Sequence, residues 1–358
     1  MHTALDGPGE LQMNILVLGA TGQIGCAATK ALARTGHQVS VLVRSGSRLR
    51  FPDNVRFPDN VTVTERPQLT AEAFKVALQS VDHAIYCIGL PEQFLFDTGV
   101  FEDVHCDLLE TFLEALAASS ARRLTYLSTY EVFDVIDGVI KETHPIADTR
   151  HMTPYSRSKV RAHRLVTDFA RSHALHLTTI HPAAVYGGLN TGGGITDYMT
   201  NLATWKWYRL PSINAGDFPI IHVDSLSEVI IKSLDKPGAY IASDQMTTLR
   251  GIAEAMRRQA RSYVPLVIPT GLATLSVSLM EAMAKVVRVK PLISAGQMHF
   301  LTRGWRPDPA NAIDELGWTP MTLDEGIRRF LQKAAPASGQ HFAGRTDSKA
   351  AARLEAAE

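Results

Sequence analysis

Residues 13–25 read MNILVLGATGQIG, and the fold turns on this stretch. Met13–Leu18 is a short unbroken apolar run, the pattern of a strand buried on both faces. It ends at Gly19. From Gly25 to Ala33 the pattern is helical, and Gly36 closes the segment. His37–Val43 (HQVSVLV) is strand-like again and stops at Arg44. Strand, glycine-rich turn, helix and strand make a βαβ unit. Within it Gly19 allows a sharp turn, Gly22 lets backbone amides approach a pyrophosphate, and Gly25 lets the helix lie close to the sheet. Thr21, Gln23 and Ile24 complete the loop, and the helix N-terminus faces the phosphates. Turns of every kind use glycine, so the triplet draws its meaning from its place between a buried strand and a helix.

The end of the second strand bears on the choice of nucleotide. A carboxylate there would hold the ribose 2′-hydroxyl of NAD. The chain has Arg44, followed by Ser45, Arg48 and Arg50, and an arginine pairs with a 2′-phosphate and stacks on adenine. NADP is the expected cofactor, with NAD as the alternative. The bland account is a solvated surface arginine.

Downstream, Val61–Thr64, His83–Ile88, Leu124–Leu127 and Leu177–Ile180 read as strands, and Ala71–Ser80, Phe101–Ala118 and Pro154–Arg171 as helices. Such alternation predicts an α/β fold, a mainly parallel, doubly wound sheet with helices on both faces. The pattern loosens after about residue 185, at GGLNTGGG (187–194). We expect a nucleotide-binding domain over 13–185, with a stretch near 216–245 returning to it, and a smaller C-terminal lobe over 186–335. Residues 1–12 and 336–358 read as flexible termini. RFPDNV at 50–55 recurs letter for letter at 56–61 and reads as a duplicated loop.

The composition sets bounds. Of 358 residues, 45% are hydrophobic, and 36 basic residues balance 36 acidic ones, as in an ordinary soluble protein. That balance argues against a protein whose main work is gripping nucleic acid. Cys26, Cys87 and Cys106 are odd in number and lack CxxC spacing, so they read as small buried thiols. The histidines show no metal-ligand spacing, and no metal is expected. No secretory core is visible, which makes the cytoplasm the default location. Tyr263–Val287 is apolar, with only Glu281 and Lys285 charged. Its first reading is helices packed over a substrate pocket; a surface-lying membrane contact is second, and a span third.

The chemistry concentrates in PYSRSK (154–159), at the start of a long helix. Tyr155 and Lys159 are four apart and share one helix face. A nearby ammonium favours phenolate, so the tyrosine can exchange a proton with a carbinol or carbonyl oxygen. The lysine would also hold the nicotinamide ribose hydroxyls. A hydroxyl following the strand Leu124–Leu127, from Ser128 or Thr129, would stabilise charge on the substrate oxygen.

With these segments the chain resembles an extended short-chain dehydrogenase/reductase of the NAD(P)-dependent epimerase/dehydratase family. The likeness covers roughly residues 13–332: GATGQIG, YLSTYEVF (126–133), PYSRSK, HPAAVYGG (181–188), IIHVDSLSEVI (220–230) and ELGWTPMTLDEGIRR (315–329). It implies a Rossmann fold with a C-terminal lobe closing over the substrate. Thr129 matches the catalytic hydroxyl, with Ser128 behind it, Tyr155 the acid/base and Lys159 the active-site lysine. The backbone around Pro182 would border the nicotinamide. The likeness also implies a homodimer through helices 101–118 and 154–171.

There are departures. His181 stands where the family has arginine, Phe133 where it often has tyrosine, and His105 where asparagine is common. The usual aspartate after the third strand is missing, with Glu65 or Arg66 nearby. Glu131 occupies a position where dehydratases place a base, but Tyr130 replaces their aspartate. Glu131 therefore reads first as a positioning or surface carboxylate. His222 and Asp224 read as structural.

Three functions compete. The first is an NADP-dependent reductase or dehydrogenase of a ketone or secondary alcohol, hydrophobic ones included, favoured by Arg44 and the apolar segment 263–287. The second is a nucleotide-sugar epimerase, dehydratase or decarboxylase with retained NAD, favoured by Glu131. The third, a nucleotide-binding sensor, has no need of Thr129, Tyr155 or Lys159.

Overall fold

The computed structural model describes residues 12–47, 56–90, 94–149, 152–188, 194–203, 212–213, 216–260, 262–289, 291 and 293–334. Residues 1–11 and 335–358, the first RFPDNV copy, Arg48, Arg50 and most of GGLNTGGG lie outside the described residues.

β1 (Asn14–Leu18) leads through the glycine turn into α1 (Gln23–Leu32), and β2 (Gln38–Arg44), β3 (Val61–Arg66), α2 (Ala71–Ala77) and β4 (His83–Tyr86) follow. The helix expected at 101–118 is α3 (Gly99–Glu102), a π-helical turn at Asp103–Asp107 and α4 (Leu108–Ala117). Such wide turns cluster at functional sites, and this one carries His105. β5 (Arg123–Leu127), a 3-10 turn at Tyr130–Val132 and β6 (Val139–Ile140) precede α5 (Pro154–Ser172). Thr153 caps α5 by accepting from the Ser156 amide, and Pro154 sits where its missing N–H costs nothing.

β7 (His176–Pro182), β8 (Ala184–Tyr186), α6 (Gly194–Ala203), β9 (Ser212–Ile213), β10 (Phe218–His222), α7 (Val223–Lys232), β11 (Gly238–Ala242), β12 (Gln245–Thr247) and α8 (Leu249–Gln259) come next. The chain ends in β13 (Val267–Ile268), α9 (Thr270–Val287), α10 (Ala295–Thr302), β14 (Arg306–Pro307), α11 (Ala310–Leu316) and α12 (Leu323–Ala334).

Seven strands form one parallel sheet in the order β11-β7-β5-β4-β1-β2-β3. The strand order reverses between β1 and β4, the position at which ligands bind such sheets. Burial on both faces explains why β1 is apolar from Ile15 to Leu18. Ile15 and Val17 pack on one face with Ala28 and Leu32 of α1 and with Val229 and Ile230 of α7. Leu16 and Leu18 pack on the other with Phe74, Phe112 and Val166. A second, three-stranded sheet (β12-β10-β8) joins α6, α8 and α12 around Met199, Phe218, Ile252 and Ile327.

In the 263–287 segment, α9 sets one stripe against the fold and leaves another in solvent. α9 turns Ala273, Val277 and Ala284 inward, while Leu272, Leu275 and Leu279 stand 61, 71 and 64% exposed. A helix that is apolar all round gives no sign in its sequence of which stripe faces the fold. Among the described residues no helix is long and apolar enough to cross a membrane.

Candidate active site

The glycine loop is built for close approach. Gly19 has φ +78°, and a Cβ there would lie 2.7 Å from the Cys87 carbonyl carbon, at the end of β4. Gly22 N–H donates to the Gly19 oxygen at 2.9 Å, and a Cβ on Gly25 would come within 2.3 Å of that same oxygen. Any side chain at these two positions would push the loop off the sheet. Gly22 caps α1 without a side-chain hydrogen bond, and the first turn carries no acidic residue. The N–H groups of that turn are therefore free of a competing carboxylate, which suits a diphosphate. Thr21 and Ile24 are half-buried, Ile24 against the core. Gln23 reaches α6: its Nε2 donates to Thr196 Oγ1 at 3.2 Å. A Cβ on Gly188 would meet Gln23 Cγ at 2.4 Å, so that glycine permits the contact.

Arg44 is exposed at the carboxyl end of β2, in register with Arg66 of β3. Its carbonyl accepts from Ser47 Oγ at 2.6 Å.

α5 brings Tyr155 and Lys159 to the carboxyl ends of β4 and β5. Lys159 is buried; its Nζ donates to the Leu127 carbonyl at 3.1 Å and lies 5.4 Å from the centre of the Tyr126 ring. Burial lowers its pKa to about 8. Tyr155 is half-buried, its ring edge-to-face with Phe101 at 6.1 Å and His105 at 5.8 Å. His105 Nε2 accepts from the Leu90 amide at 3.0 Å. Nδ1 therefore carries the proton and donates to Ser158 Oγ at 2.8 Å, and that hydroxyl donates to the Tyr155 carbonyl at 2.8 Å. Burial, then the Lys159 charge, pulls the His105 pKa down to about 3 and keeps the imidazole neutral.

Two hydroxyls follow β5. Thr129 Oγ1 accepts from the Glu131 amide at 3.3 Å, and its own proton remains to be given. Ser128 Oγ is buried with no hydrogen-bond partner among the described residues. The Thr129 carbonyl accepts from His181 Nδ1 at 3.1 Å, which leaves His181 Nε2 to accept from Thr179 Oγ1 at 3.0 Å. The His181 ring lies 4.6 Å from that of Phe133, tilted by 53°, so these two departures from the family pattern pack against each other. Pro182 ends β7, buried and in register with Ala242.

Glu131 is buried, which corrects the surface half of its first reading. Its Oε2 accepts from Ser156 Oγ at 2.8 Å and lies 3.8 Å from Arg303 Nη1. Burial raises its pKa, against the pull of Ser156 and Arg303. Arg303 follows α10 and lies 3.9 Å over the Trp305 ring; its Nε is buried without a partner among the described residues. Ser156, Arg303 and Trp305 escaped sequence reasoning. Only Ser156, one position after Tyr155, carried a usable signal.

The profile of the NAD dependent epimerase/dehydratase family matches residues 15–246. The chain belongs to this family. Among curated proteins none matches it. Solved structures confirm the epimerase-like fold. UDP-glucose 4-epimerase from Thermotoga maritima superposes with TM-score 0.70 at 17% identity, over 90% of this chain and all (100%) of that one. A nucleoside-diphosphate-sugar epimerase from Pseudomonas aeruginosa gives 0.69 at 17%, over 89% and 96%. UDP-glucose 4-epimerase from Thermus thermophilus, solved with NAD, gives 0.69 at 18%, over 89% and 99%. At these identities the likeness carries the epimerase/dehydratase fold, and the chemistry rests on the residues above.

Proposed function

We propose that this chain is a nucleotide-sugar epimerase or a closely related dehydratase, oxidising and re-reducing one bound substrate with a nicotinamide dinucleotide it retains. One observation carries the reading: the Gln23–Thr196 hydrogen bond, made possible by Gly188, lays the C-terminal lobe over the pyrophosphate loop. A dinucleotide seated there leaves only when the lobes part. Retention suits a cycle that returns its hydride to the same substrate better than one that exchanges cofactor at every turnover.

When bound, the nicotinamide supplies the hydride acceptor and donor. Tyr155 takes the proton from the substrate hydroxyl and gives it back on reduction. Thr129, with Ser128 beside it, donates a hydrogen bond to the oxygen that gains charge. Lys159, fixed by the Leu127 carbonyl, supplies positive charge beneath the site and donors for ribose hydroxyls. Glu131 is the candidate base for a dehydratase step. The reading includes NAD as cofactor, after the family's description, a nucleotide-linked sugar as substrate, and a homodimer through the outer faces of α4 and α5.

A second reading, an NADP-dependent ketone reductase, is favoured by Arg44, which stands exposed where a carboxylate would hold an NAD ribose. One experiment separates the two. The purified protein is denatured, any released nucleotide is identified, and the emptied protein is titrated with NADH and NADPH. Stoichiometric NAD supports the epimerase reading. Empty protein that prefers NADPH shifts the assignment to the reductase.

A further inference from the structure

α9 is an inside-out helix. Its inward stripe is made of small residues, Ala273, Val277 and Ala284. Its outward stripe is Leu272, Leu275, Leu279, Met283 and Val286, spaced three or four apart so that they form one ridge. Val286 is 83% exposed, and Leu266, at 86%, extends the apolar surface before the helix begins. Contiguous exposure of this kind marks an interaction surface.

The polar atoms and charges on and around the ridge narrow the choice of partner. The exposed hydroxyls of Thr274, Ser276 and Ser278 all turn back onto the helix, donating to the carbonyls of Thr270, Leu272 and Thr274 at 2.9, 2.8 and 3.0 Å. The same back-bond is made by Thr111, Thr167 and Ser172 elsewhere in the protein, so these hydroxyls are compatible with a lipid surface without selecting it, and the charges decide. From Arg257 to Lys290 the sequence holds Arg257, Arg258, Arg261, Lys285, Arg288 and Lys290, of which Arg258 is paired with Asp324 of α12 at 2.7 Å, but a single acidic residue, Glu281. That carboxylate accepts from the Ala295 amide at the start of α10, within the protein. An apolar ridge with basic residues before and after it complements an anionic bilayer surface. A second copy is disfavoured on the same ground. A two-fold pairing sets the patch against itself, and with cations at both ends like charges would meet in either orientation.

We propose that the outward face of α9 docks the protein on an anionic membrane, lying in the lipid interface without crossing it. The test is co-sedimentation of the full chain with phosphatidylcholine vesicles made with or without phosphatidylglycerol. The expected result is binding to the anionic vesicles that weakens with salt. Replacing Leu275→Gln and Leu279→Gln together should weaken it about tenfold or more, through lost apolar burial. Arg288→Glu should weaken it about fivefold or more, on the anionic vesicles alone. These side chains are exposed, so the melting curves of the variants should match that of the parent, which separates lost docking from lost folding. Failure of the parent to bind either vesicle, or binding that the leucine pair leaves unchanged, overturns the proposal. So does light scattering that shows a dimer dissolved by the same pair, which would give the face to a second copy.

Discussion

α5 and α9 are nearly the same length, 19 and 18 residues, and each reverses the usual rule of burial in the opposite sense. α5 takes Ser156, Ser158, Lys159 and His163 inside. α9 leaves leucine, methionine and valine outside. The inversions are tolerated for different reasons. Buried polar groups are costly unless paired. On α5, Ser156 meets Glu131, Ser158 meets His105 and Lys159 meets the Leu127 carbonyl. On α9 nothing inside the fold compensates, and the cost is displaced onto the solvent. A polar side chain that a fold takes in and satisfies points to chemistry within the molecule. An apolar one that it turns out points to a surface beyond the molecule.

The comparison breaks most sharply at Tyr155. Tyr155→Phe should lower turnover by about a thousandfold or more while leaving dinucleotide binding nearly intact, as a fluorescence titration would show. Retained turnover would remove α5's claim to the chemistry.

Lys159 is next. Its folded pKa, about 8, lies below the ordinary lysine value of 10.5. Between these pH values the unfolded chain binds more protons, so Lys159 makes stability rise with pH across that window, by at most about 1.4 kcal/mol per pH unit. Lys159→Met should flatten this rise in denaturant unfolding followed from pH 8 to 10.5. An unchanged slope would mean that the lysine is better solvated than its burial suggests.

Glu131→Gln can keep the contact with Ser156 but removes the charge facing Arg303. We expect a loss of about 1–3 kcal/mol of stability. An unchanged melting temperature would mean that Arg303 draws its compensation from Trp305 alone.

The smallest effect belongs to α9. Leu275→Gln with Leu279→Gln should shift the stability of the free protein by no more than about 0.5 kcal/mol and leave turnover unchanged. A larger loss would show that the outward ridge belongs to the core after all.

The glycine turn and the Tyr155–Lys159 pair were legible as candidates because the proposed chemistry asks for those residues at short, fixed separations. The distances are set by one turn and by one helical repeat. The strand alternation was legible for the same reason, since a doubly buried strand such as β1 has to be apolar at successive positions. His105 could be seen only as an unusual residue. Its tautomer and its link to Tyr155 depend on Leu90 and Ser158, which come from a different loop and a different helix.

The sequence by itself therefore determined the parallel fold and the family, and it named Tyr155 and the glycine turn as the candidates for proton transfer and dinucleotide binding. Only the tertiary structure decided that Glu131 is buried against Arg303, that Gln23 meets Thr196 of α6, and which stripe of α9 faces outward. Each of these depends on residues distant in the chain brought together by packing, or on the choice between two apolar faces. Local periodicity encodes neither.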